Sequence, residues 1–173
     1  DATFNNGATG ANISVKKILI QPDQHILIGG DFNLYNNLNT NLTRVLNSGS
    51  IDPSFDNTSG GFPDGIKAIA LQSNGKIVVG WGVHRTIFTD SENKKVARLN
   101  ADGTPDSEFK YDFVSNINEN VYDIAIQPDG KLLVAETYNS RFPGQDRYAN
   151  YFGSLRKNAA RDFKINRFNI DGT

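Results

Sequence analysis

The sequence predicts an all-β chain of three β-propeller blades, each a four-stranded antiparallel repeat. Three observations lead there. A set of sequence anchors occurs three times in the same order. The hydrophobic residues inside each copy follow a period of two, as they do along a half-buried strand. Asn-Gly or Asp-Gly pairs, which accept the positive φ of a tight hairpin, separate the apolar runs.

The first anchor is Gln21-Pro22-Asp23-Gln24-His25-Ile26-Leu27-Ile28, which matches Gln72 to Val79 and Gln127 to Val134. The second starts at an arginine and continues to a turn: Arg44 to Ser50, Arg98 to Thr104 and Arg167 to Thr173. The third ends in phenylalanine, at Asp1 to Phe4, Asp52 to Phe55 and Asp106 to Phe109. The glutamines stand 51 and 55 residues apart, a period that marks a repeat architecture.

Within each repeat the strands follow in order. Before the glutamine, Ile18/Ile20, Ile69/Leu71 and Ile124/Ile126 share one face, and Leu19, Ala70 and Ala125 the other. After a four-residue connector comes an unbroken apolar run, the pattern of a strand covered on both faces. Gln24 stands where the other repeats have Gly75 and Gly130, so the first turn is expected to be strained or of another type. A third strand carries Arg44-Val45, Arg98-Leu99 and Arg167-Phe168, and a fourth, outer segment ends at the repeated phenylalanine. Four short strands in about 50 to 55 residues make a propeller blade. The ring is expected to fill the gap between sheets, and the guanidinium to satisfy carbonyls at the blade edge. The blades divide the chain as 1–55, 56–109 and 110–173, the last with an insertion at 139–163.

At these anchors the sequence resembles the delta-60 repeat family, described as a domain-of-unknown-function β-propeller. The elements that carry the resemblance are Gln127 to Lys131, Gly29-Gly30-Asp31-Phe32 and Arg98 to Phe109. Blade two departs from the pattern with Trp81 and blade three with Glu136. The resemblance implies an extracellular scaffold or adhesive module of a large secreted or surface-attached bacterial protein, with no catalytic residues to carry over.

Composition narrows the function classes. Eighteen basic and 19 acidic residues among 173 leave a net charge of -1, so no overall basic field argues for nucleic acid. No apolar run approaches the roughly 18 residues that span a bilayer. The absence of cysteine excludes disulfides and thiolate chemistry. The absence of methionine leads us to expect a processed or excised piece of a longer chain.

No residue stands out as catalytic. The two histidines are His25, at an exposed post-turn position, and His84. Nucleophile-elbow, zincin and phosphate-loop motifs are missing. Asn100, Asp102 and Asp106 alternate around a glycine as calcium ligands do, although the closing glutamate is out of place, and a plain turn with local backbone bonds explains them better. No cofactor is expected. Asp31, Asp123, Glu136 and Asp146 are the carboxylates from which a glycosidase pair would have to come, and their spacing singles out no two of them.

The insertion breaks the repeat. Glutamine and arginine anchors are 23 and 26 residues apart in the first two copies and 40 in the third. Residues 139–163 include Arg141, Phe142, Arg147, Tyr148, Tyr151 and Arg156, the candidate binding residues, and carry five basic against two acidic side chains. Tyr and Arg are enriched at binding hot spots, and function concentrates on loops of rigid scaffolds. The expected function is therefore a non-catalytic extracellular module that binds glycan or protein, secreted or at the cell surface. The alternatives are a propeller polysaccharide hydrolase or lyase, and a structural spacer or filament subunit. Thr173 and Asp1 fall one residue short of register, so flanking repeats or another copy of the chain are expected to complete the propeller.

Overall fold

The computed structural model describes residues 4, 9–57, 62, 65–82, 95–111, 120–138 and 162–173. Nine of the described strands form three antiparallel sheets. Blade one contains β1 (Val15–Ile20) and β2 (Ile26–Gly30), and β3 (Leu34–Tyr35) and β4 (Leu38–Asn39) form a small hairpin before its outer strand β5 (Leu42–Val45). Blade two is β6 (Ile66–Leu71), β7 (Ile77–Trp81) and β8 (Val96–Leu99). Blade three is β9 (Val121–Ile126), β10 (Leu132–Tyr138) and β11 (Asp162–Phe168). The described residues include no helix, and so none long and apolar enough to cross a membrane.

The sequence repeat is a repeat of register. Ile18 pairs with Ile28, Ile69 with Val79 and Ile124 with Val134, and each pairing shifts by a residue near the start of its first strand. The connectors close alike. The Gln21, Gln72 and Gln127 amides donate to the carbonyls of His25, Lys76 and Lys131. Gln24 adopts the same turn as the glycines, with φ of 70° against 83° at Gly75 and Gly130. It therefore carries the steric cost of a Cβ in the left-handed region.

The expectation of four strands per blade is corrected. Among the described residues each blade's main sheet has three strands, and in blades one and two the fourth shrinks to one bridged pair, Val45 with Ile51 and Leu99 with Pro105. The chain bends away at once, because Asp52 and Asp106 accept the amides of Ser54 and Glu108 two residues on. Pro53 and Pro105 have no N–H with which to extend a ladder.

The blades pack face to face in chain order. Leu19, Leu27, Leu42 and Phe55 meet Ile69, Ile77, Val79 and Leu99 in one core; Ala70, Val78 and Val96 meet Ile124, Leu132, Val134 and Phe168 in the next. Close approach depends on Gly29 and Gly80, where a methyl would lie 2.6 Å from Ile66 and 2.5 Å from Val121. A third cluster, Ile28, Phe32, Tyr35 and Val45, lies on the far side of blade one.

Strand direction gives the sheets two distinct ends. The glutamine connectors and the turns at 46–50, 100–104 and 169–173 lie at one, the turn end. The entries to β1, β6 and β9 and the exits from β2, β7 and β10 lie at the other, the loop end.

Candidate functional site

At the turn end a clamp joins each blade to the next. The Nε of Arg44 donates to Asp52 at 2.6 Å, its Nη1 to the Ala101 carbonyl of blade two at 2.7 Å, and its guanidinium lies 4.7 Å from the Phe55 ring centre. Arg98 repeats this with Asp106 at 2.6 Å, the Ile170 carbonyl of blade three at 2.6 Å and Phe109 at 4.9 Å. Phe55 and Phe109 fill the space under Gly103 and Gly172, where a methyl would sit 2.9 Å from either ring. The amides of Asp56 and Lys110 then donate to the Asp102 and Asp171 carbonyls. The arginine reaches the carbonyl of the next blade's turn, and the ring fills the junction.

Charge follows that geometry. Burial would raise the Asp106 pKa, but hydrogen bonds from Lys76 at 2.7 Å and Arg98 outweigh it and hold the carboxyl at about 2. At Asp52 burial is likewise outweighed, by Ser54 and Arg44, and the pKa is lowered. His25 takes the place of Lys76 there: Nδ1 lies 2.9 Å from Asp23 and Nε2 3.7 Å from Asp52.

The calcium candidates belong to this end. Asn100 donates to Thr104, Asp102 accepts from the Thr104 amide and hydroxyl, and Asp106 is part of the clamp. Their oxygens close a turn and a junction. Among the described residues no three His, Asp or Glu side chains converge as a metal site would require.

At the loop end, charges link all three sheets. Asp31, just after β2, accepts from Lys67 on β6 at 2.6 Å and from Ser14 at 3.1 Å, and pairs with Lys16 at 3.2 Å. Lys17 on β1 reaches Asp123 on β9 at 2.8 Å, tying blade one to blade three. Burial alone would raise the Asp31 pKa, but the Lys67 and Lys16 hydrogen bonds bring it below the ordinary value. Three lysines and two aspartates thus form a partly exposed cationic cluster. Sequence reasoning missed these lysines; Lys16 and Lys67 recur at one strand position, which was the available signal.

The carboxylates therefore separate. Asp31 and Asp123 are engaged by lysines, while Glu136 is buried on β10 and accepts from Asn166 on β11. Burial raises its pKa against the opposing influence of Asn166 and Lys164. Asp146, His84 and the insertion residues Arg141, Phe142, Arg147, Tyr148, Tyr151 and Arg156 lie outside the described residues. The chain leaves β10 and enters β11 at Tyr138 and Asp162, which pair with each other at the loop end.

Each clamp closes a stretch that begins at a connector glutamine, and both stretches match one family. It is a β-propeller family. Residues 21–55 and 72–109 fit the family model described as a domain of unknown function (DUF5122) beta-propeller. The matched propeller segments run from Gln21 to Phe55 and from Gln72 to Phe109, from connector to clamp ring. Blade three has the same pairing and lies outside the match; its two anchors are the pair separated by the insertion. No curated protein matches the chain significantly.

Proposed function

We propose that this chain is a non-catalytic, extracellular β-propeller module of a large bacterial surface, adhesion or fibre protein, and that it binds an acidic glycan or an acidic protein surface at its loop end. The observation that supports this is the division of the sheets. Repeated, buried contacts hold the turn end, while the loop end carries the Lys16, Lys17 and Lys67 cluster and the bases of the irregular connections. Each ammonium has donors beyond its carboxylate bond with which to meet anionic or hydroxyl oxygens. The insertion adds Arg147, Tyr148 and Tyr151 to the same connection, residue types suited to sugar faces and acidic groups. Lysine pairing of Asp31 and Asp123 leaves neither ready to serve in a general acid–base pair.

Affinity electrophoresis through neutral and acidic polysaccharides tests the reading. The chain should be retarded by at least one acidic polysaccharide, and the combined change Arg147→Ala, Tyr148→Ala, Tyr151→Ala should remove most of the retardation without altering thermal unfolding. Migration unaffected by every polysaccharide would leave the spacer reading. Release of reducing ends, abolished by Asp31→Asn or Glu136→Gln, would establish the enzyme instead.

A further inference from the structure

The face that blade two turns toward blade one has three rows across β6, β7 and β8. They are Leu71, Ile77 and Leu99; Ile69, Val79 and Ala97; and Ile66, Trp81 and Lys95. Every member except Lys95 packs into the core between the two blades. Lys95 ends the last row, at the loop end, where its carbonyl accepts from the Trp81 amide at 3.0 Å. The residue is only 9% exposed, and among the described residues its ammonium has no hydrogen-bond or ion-pair partner. A charge so placed costs stability until an opposite charge meets it.

Blade three shows how the repeat answers that lysine. Its matching positions are Glu136, Lys164 and Asn166. Glu136 stands directly opposite Lys164, is attracted to its charge and accepts from Asn166. Blade two keeps the lysine but has Trp81 for the glutamate and Ala97 for the asparagine. The carboxylate and the amide that holds it are both gone, while the cation remains. In their place is an aromatic wall: the partly exposed Trp81 ring lies 5.1 Å from the buried Phe62 ring. Lys67 of the cationic cluster follows Ile66, the first member of the same row.

We propose that Lys95 and Trp81 form a subsite for one acidic sugar residue, whose carboxylate meets the Lys95 ammonium while its C–H face lies on the Trp81 ring. The proposal rests on the loop-end reading above and narrows it to a carboxylated sugar. A carboxylate is the group that the repeat itself sets opposite this lysine, and in blade two it comes from the ligand. The charge-assisted bond selects the acid, and the indole adds apolar contact area that a patch of lysines lacks.

Trp81 is the only tryptophan of the chain, so its fluorescence reports on this subsite directly. Titration of the full chain with hexagalacturonate should change the emission saturably, and neutral maltohexaose should not. Lys95→Met keeps the buried stem and removes the charge. It should weaken hexagalacturonate at least about tenfold, the scale of losing a charge-assisted hydrogen bond, and leave the thermal melt unchanged or raised. A lowered melt would show that the ammonium has a structural partner and would overturn the proposal. So would a response undiminished in Lys95→Met, or an equal response to maltohexaose. A response to poly-L-glutamate alone would assign the subsite to an acidic protein and overturn it too. Silent fluorescence in a chain still retarded by acidic polysaccharide would sink the subsite and spare the loop-end reading; silence together with unretarded migration would sink both.

Discussion

At the turn end the Arg98 and Asp106 side chains are 7% and 5% exposed and bond in a fixed geometry to each other and to the next blade. At the loop end Lys67 and Asp31 are joined by an equally short contact, yet each is 32% exposed. Both are salt bridges at 2.6 Å, and distance alone would rank them equal. Burial separates them. Removing one partner of the first strands a desolvated charge and empties a junction, whereas removing one partner of the second lets water take its place. Short contacts at the two ends thus serve different purposes, cohesion at one and display at the other.

The strongest way to break that contrast is a pair of substitutions. Arg98→Ala should destabilise the chain by about 3 kcal/mol, because it removes the Asp106 bond, the Ile170 bond and the packing on Phe109 together. Lys67→Ala should cost under about 1 kcal/mol. Urea unfolding followed by far-UV circular dichroism measures both, and similar losses would erase the distinction.

Acid sharpens it. The Asp106 pKa is about 2 in the folded chain, against about 3.9 for an unfolded aspartate. Because the folded value is depressed, its contribution is fully present above pH 4 and is lost as pH falls from 4 toward 2. The expected loss is on the order of 2 kcal/mol. Asp106→Asn should lower stability at pH 7 and flatten this acid limb. Asp31→Asn should leave the limb nearly intact, since Asp31 is partly solvated.

The smallest effect lies in the connectors. Gln24→Gly should raise stability by about 0.5 kcal/mol, because relief of the left-handed strain slightly exceeds the added freedom of the unfolded chain. Gly75→Gln at the matching position should lower it, and thermal melts of the two variants compare the repeats directly.

These contrasts also explain what the sequence disclosed. Strand order, register and the connectors were legible because they rest on local rules: alternation at Ile18/Ile20 and its counterparts, and Asn-Gly or Asp-Gly between apolar runs. The roles of Arg98 and Phe109 were legible because a position repeated three times in one pattern needs a repeated contact. The fourth strand was overestimated, since the backbone turn made by Asp52 and Asp106 competes with a ladder and apolar content does not reveal the winner. The β3–β4 hairpin was missed, although Asn36 and Asn37, with φ of 47° and 67°, are its turn. The Lys17–Asp123 contact of the loop-end cluster was invisible because the two residues are 106 apart and pair only once three blades have stacked.

The clamp also has a consequence in time. The acceptor for Arg44 lies 57 residues downstream and that for Arg98 lies 72 downstream. During synthesis a blade can pair its own strands and its arginine with its own aspartate early, but the arginine lacks its acceptor carbonyl and the ring lacks the glycine it packs under until the next blade's turn has been made. At translation rates of about 5–20 residues per second that wait is roughly 3 to 15 seconds. Over that interval the nascent chain carries one unfinished edge, and each new blade seals the edge of its predecessor as it exposes its own.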